Sequence, residues 1–88
     1  MRFIDDISYR KTENGLVMLY HKKEGTLLEL NETATAIAEL LHSGVDDVDA
    51  IIKSLQEIYE SDFETIQQDV LDTISEFVEY KILVLQRE

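Results

Sequence analysis

The side chains able to do chemistry in this chain are His21 and His42, the serines Ser8, Ser43, Ser54, Ser61 and Ser75, and a long series of carboxylates. A zinc or iron site needs several donors at short spacing, and neither histidine sits in an HxxxH or HExxH arrangement. Cysteine is absent, which removes thiolate ligands, disulfides and cysteine nucleophiles together. None of the serines lies in a nucleophile-elbow motif, and no glycine-rich loop is present to cradle a phosphate. Carboxylates on polar helix faces keep ordinary acidities because water and salt screen them, so they are poorly placed for acid or base catalysis. The reading is of a protein that is not an enzyme, with no catalytic residues, no metal site and no cofactor.

Binding remains, and charge narrows the partner. The net charge of −11 is uneven: residues 45–79 hold eleven acids against one base, Lys53. Five of the eight basic residues, Arg2, Arg10, Lys11, Lys22 and Lys23, fall in the first 23 positions. The C-terminal half therefore repels phosphate backbones and anionic lipid, and predicts neither a nucleic-acid partner nor a membrane partner. The start, MRFIDD, carries acids where a signal peptide needs apolar residues, and runs such as LVMLY are far too short to span a bilayer. Together with the missing cysteines, this predicts a cytoplasmic protein. A small acidic helical chain also suggests an acyl carrier. The nearest match to the required Asp-Ser-Leu context is Lys53-Ser54-Leu55, with a cation in place of the acid and inside a helix.

The elements that position any binding surface follow from the apolar periods. Asn14-Gly15, the dipeptide that best tolerates a two-residue hairpin turn, separates ISYRKT from LVMLYHK; KEG at 23–25 separates the latter from TLLEL. Three antiparallel strands are expected over the first 30 residues. After Leu30 the period changes from two to about 3.6. Asn31 caps a helix through Ala34, Ile37, Ala38, Leu40 and Leu41 that ends at Gly44; Asp46 or Asp47 caps a second through Val48, Ile51, Ile52, Leu55 and Ile58. Ser61 or Asp62 caps a third, from about Phe63 to Tyr80, with two adjoining apolar lines: Ile66, Val70, Ile74 and Phe77, and Leu71, Ile74 and Val78. ILVL at 82–85 reads as extended, with no partner fixed by the sequence. The fold class is α+β, winged helix-turn-helix-like: a three-stranded antiparallel meander followed by three helices, in a single domain over residues 1–88. In a DNA-binding winged helix the third helix enters the groove, but this one has no Lys or Arg between Phe63 and Tyr80.

The ordered set Leu30-Asn31, Ala34, Ile37, Leu40, Leu41, Gly44, Val48, Ile51, Tyr59, Asp69-Val70, Leu71 and Phe77 resembles the PqqD family, the RiPP recognition elements, over about residues 15–83. Two positions depart from the family pattern: Glu32 stands where a proline is frequent and Ala38 where a tryptophan is frequent. The resemblance implies a PqqD-like domain that binds the leader segment of a ribosomally made precursor peptide. That peptide would add as a fourth strand and be delivered to a separate enzyme, a lasso-peptide leader peptidase or a radical maturase.

The peptide-binding residues expected on this basis are Gly25, Thr26, Leu27, Leu28, Glu29 and Leu30 on the third strand, and Ile66, Asp69, Val70, Thr73 and Phe77 on the third helix. The sequence supports the strand independently. Arg10 and Lys11 guard the first strand with charge, whereas TLLEL offers an apolar, unguarded edge suited to strand addition. The competing reading is a winged-helix interaction module of a regulator, using the same edge to form a homodimer. The acidic third helix is expected to favour a leader with basic residues.

Overall fold

The computed structural model describes residues 1–85; the last three residues of the expected domain lie outside the described residues. Its strands are β1 (Arg2–Phe3), β2 (Ile7–Lys11), β3 (Val17–His21), β4 (Leu27–Glu29) and β5 (Leu83–Val84), and its helices are α1 (Glu32–His42), α2 (Val48–Ile58) and α3 (Phe63–Glu79). The expected meander is the sheet β2-β3-β4, followed by the three expected helices. A second, two-stranded sheet was not foreseen. It pairs Arg2 with Val84 and Phe3 with Leu83, so the segment ILVL closes on the N-terminus and leaves β4 alone.

The first turn differs from the two-residue hairpin its Asn-Gly predicts. Such a turn needs positive φ at both residues, and here only Gly15 (φ +83°) takes it. Thr12 N–H bonds Leu16 C=O at 2.8 Å and Gly15 N–H bonds Thr12 C=O at 3.0 Å, giving a three-residue loop closed by a left-handed glycine.

The helices start where short polar side chains can hold free N–H groups. Asn31, Asp47 and Asp62 accept from Ala34, Ala50 and Thr65 respectively. Hydrogen bonds from Thr65 hold the Asp62 carboxyl below the usual range. The helix ends form an informative pair. α1 closes with Gly44 N–H on Leu41 C=O and Val45 N–H on Leu40 C=O; α3 closes the same way, with Lys81 on Val78 and Ile82 on Phe77. Glycine occupies the left-handed position after α1, but Lys81 (φ +63°) occupies it after α3.

The core joins both sheets to all three helices. Val17 and Leu19 of β3, Ile37 of α1, Ile51 of α2, Val70 and Phe77 of α3, and Ile82 are each 1% exposed or less. Phe77 packs against Phe3, ring centroids 6.2 Å apart, tying α3 to the N-terminus. β2 is held to the end of α1 by Tyr9 stacked on His42 at 3.9 Å and by a Lys11–Glu39 ion pair. Burial, then the Glu39 carboxylate, pushes the Tyr9 phenol up. The sheet is pinned to α1 by one buried bond: Val17 N–H donates to Thr35 Oγ1 at 2.9 Å.

Two changes test this account by urea unfolding. Thr35→Val keeps the shape and removes the acceptor of the buried Val17 N–H, and is expected to cost about 1–3 kcal/mol. Lys81→Gly relieves the left-handed lysine and is expected to stabilise by up to about 1 kcal/mol, since the exposed ion pair it loses is worth little.

Candidate functional site

Among the described residues, β4 has a partner strand on one side only. Its register pairs Met18 with Glu29, Leu19 with Leu28 and Tyr20 with Leu27. His21 N–H bonds Thr26 C=O at 2.8 Å and Leu30 N–H bonds Val17 C=O at 2.9 Å. In an antiparallel ladder the residues that bond inward alternate with those that bond outward. Thr26, Leu28 and Leu30 therefore face β3 with their backbone, and the N–H and C=O of Leu27 and Glu29 point away from the sheet. Side chains alternate too: Leu30 is buried and Leu28 half-buried toward the helices, while Leu27 is 53% exposed on the outer face.

Both ends of this edge are fixed by hydrogen bonds. At the β3–β4 turn Gly25 (φ +75°) donates to His21 C=O, and Lys22 N–H donates to Asp6 C=O at 2.9 Å. The buried His21 imidazole holds the middle of the turn, its Nδ1 accepting from Lys23 N–H at 3.2 Å and Glu24 N–H at 3.1 Å. A nitrogen that accepts twice carries no proton, so the neutral ring keeps its hydrogen on Nε2. At the other end no loop intervenes between Leu30 and the cap Asn31, so α1 starts where the strand stops.

The end of α3 approaches the turn before β4. Lys81 Nζ lies 3.7 Å from the Glu24 carboxylate, joining the end of α3 to the turn before β4. Beside this contact is a cavity of about 630 Å³ walled by Ile4, Asp6, His21, Lys23, Glu24, Val78, Lys81 and residues 83–85. A smaller cavity of about 70 Å³ lies near the start of α3, where Ile66 and Asp69 meet Thr33, Leu55 and Tyr59.

The two cavities orient the helix. At about 100° per residue, Asp69 and Val78 project from opposite sides of α3. The Asp69 side is turned to α2, and the Val78 side to the β3–β4 turn. Leu71, one heptad before Val78, shares its line, and these two are 42% and 37% exposed.

The sequence-predicted residues thus divide. Gly25 to Leu30 form the turn and the open edge. Ile66, Val70 and Phe77 are core residues with 4% exposure or less, Thr73 is half-buried, and Asp69 is exposed beside α2. Val78 and Lys81 share a cavity with the β3–β4 turn, and Ile66 and Asp69 share one with Thr33, just past the cap that follows β4. The signal for Val78 was the second apolar line, Leu71, Ile74 and Val78. The acids Asp69, Asp72 and Glu76 are rotated about 110° or more from that line, which leaves Glu64 as its near carboxylate.

Among the described residues, no helix is long and apolar enough to cross a membrane, and no group of three or more His, Asp or Glu side chains could hold a metal ion.

An open edge has a direct signature in amide exchange. Leu27 and Glu29 are expected to exchange quickly and Leu28 and Leu30 slowly, measured residue by residue by NMR; slow exchange at all four would mean that a strand already covers the edge.

The profile of the family described as coenzyme PQQ synthesis protein D (PqqD) matches residues 15–83. Two solved structures share the fold. One is TbiB1 in complex with the TbiA(beta) leader peptide, 22% identical with a TM-score of 0.89, each chain covered in full. The other is a lasso peptide synthetase B1 complexed with the leader peptide, 23% identical with a TM-score of 0.83, covering 94% of this chain and 95% of that one. No curated protein matches the chain by sequence.

Proposed function

We propose a function for this chain, which belongs to the PqqD family: it is a non-catalytic recognition protein that binds the leader segment of a ribosomally synthesised precursor peptide by strand addition. The bound peptide is then delivered to a separate processing or modifying enzyme. The observation that carries this reading is the outward-pointing backbone of Leu27 and Glu29 on a strand with no outer neighbour among the described residues.

An added strand gains main-chain hydrogen bonds to those groups, and its alternate side chains gain pockets. Those on the inner side lie beside Leu28 and against α3; those on the outer side lie beside Leu27 and Tyr20. Gly25 to Leu30 supply the edge, and Ile66, Asp69, Val70, Thr73 and Phe77 of α3 the wall, with Val78 beside the β3–β4 turn. Two solved proteins of this fold hold leader peptides, which supports the same use here. The whole described chain acts as one domain in this role, in the cytoplasm where precursor peptides are made.

Duplex DNA is not the ligand. Phosphate contacts require cations, and α3 has none between Phe63 and Glu79.

Proline at position 29 separates the binding edge from the folding edge. Glu29→Pro removes an outward N–H and crowds the edge, whereas the inward bonds of Leu28 and Leu30 remain. Peptides selected from a random displayed library on the parent protein are expected to bind this variant at least about tenfold more weakly, about 1.4 kcal/mol, with little change in melting temperature. Unchanged affinity would place the peptide elsewhere. Tight, salt-sensitive binding of labelled duplex DNA in an anisotropy titration would overturn the function itself.

A further inference from the structure

We infer that the Glu29 carboxylate reads charge in the bound peptide: on the solvent-facing side of the sheet it selects a lysine or arginine at the peptide position directly opposite. The inference rests on the strand-addition reading and extends it from the backbone of β4 to one side chain. Leu27 and Glu29 are the β4 residues whose N–H and C=O point outward, so an antiparallel strand added there exchanges its hydrogen bonds with these two. A residue paired in that way sits about 5.5 Å away, Cα to Cα, with its side chain on the same face as its partner's. On that face Leu27 offers the peptide an apolar neighbour and Glu29 a charged one.

Nothing within the described chain neutralises this carboxylate. The ion pairs join Arg2 to Asp5, Lys11 to Glu39, Lys23 to Asp6 and Lys81 to Glu24, and among the described residues Glu29 has neither an ion pair nor a side-chain hydrogen bond. The cation in its own row is Arg10, which the register places on the far side of Met18: Arg10 pairs with Met18, and Met18 with Glu29. Two strand spacings separate them, roughly 10 Å, which is a full Debye length at physiological salt. An incoming basic residue meets Glu29 at about half that distance. A charge that only guards an edge against pairing could have either sign, and lysine is the common choice. The sign at position 29 has a consequence only for a strand that does pair.

The space beside Glu29 suits a long basic side chain. A cavity of about 200 Å³ there has Leu16, Met18 and Leu30 in its apolar lining and Thr12, Asn14 and Glu29 in its polar lining. Glu29 belongs both to this wall and to the open edge, so the peptide residue opposite Glu29 borders the cavity. Lysine and arginine lay their methylene stems along apolar surface and keep the charged end among polar groups. The Glu29 carboxylate and the Asn14 side-chain oxygen are acceptors for that end.

The test is selection from a displayed library of random peptides on the parent protein, on Glu29→Gln and on Glu29→Lys, each variant first checked for an unchanged circular dichroism melt. Only peptides that slow the exchange of the amides at 27 and 29 are counted, and cross-strand nuclear Overhauser contacts assign the residue opposite position 29. The parent is expected to enrich lysine or arginine there, Glu29→Gln to lose the preference, and Glu29→Lys to enrich aspartate or glutamate. Exchanging the basic residue of a parent-selected peptide for glutamate should weaken binding to the parent about fivefold and strengthen binding to Glu29→Lys by a similar factor. Both changes should shrink as salt rises. If Glu29→Lys melts differently, loss of the preference on Glu29→Gln decides. The same preference on every variant, or none on the parent, overturns the charge reading, leaves the strand-addition function standing and makes Glu29 a guard of the edge. Failure of every enriched peptide to slow those amides overturns both.

Discussion

The structure turns on a row of backbone groups that the sheet does not use. β4 is only three residues long, and among the described residues its outer N–H and C=O groups are left uncovered, because β1 and β5 pair with each other. Buried or covered backbone must find partners, and exposed strand edges usually carry charge or a bulge to discourage them. The opposite edge, β2, is so protected, with exposed Arg10 and Lys11 and the end of α1 packed on Tyr9. β4 has none of this except Glu29. The difference between the edges is a difference in availability.

An edge that is to bind must also be held in place before its ligand arrives, because ordering it on binding would consume affinity. Here the turn before β4 is bonded through His21 and tied to Asp6 and Glu24 contacts, while the residue after β4 passes without a loop into the cap of α1. Thr35 then locks α1 to β3 from inside the core. Sheet and helix cannot slide past one another without breaking a buried hydrogen bond. That is how a small core, in a domain of a size that buries only about 60% or slightly more of its unfolded surface, presents an ordered recognition strand.

Much of this architecture was legible because it rests on local chemistry. Asn31, Asp47 and Asp62 cap helices by a rule that needs only the residue and its neighbours. The change of apolar period after Leu30 marks the passage from strand to helix. What escaped depends on distance in sequence. The pairing of Arg2 and Phe3 with residues 83 and 84 joins the two ends of the chain, and nothing local announces it. The first turn was misjudged because Asn14-Gly15 permits two positive φ angles without requiring them. On α3, periodicity revealed two apolar lines but not which flank α2 would take. Ile66, Val70 and Phe77 are core, Asp69 faces α2, and Val78 lies beside the turn.

A free apolar edge raises the question of why the protein would not pair with itself. Two β4 strands meeting antiparallel would share only three residues each, with Leu27 opposite Glu29, and little apolar area would be buried around the contact. The two chains would also bring −11 charges each into proximity, a repulsion that acts over about 8–10 Å at physiological salt. A peptide escapes both limits. It does not bring a second −11 charge, and it can extend beyond the three residues of β4. The acids of α2 and α3 thus set an electrostatic cost on a second copy of the chain and on polyanions that approach the open edge.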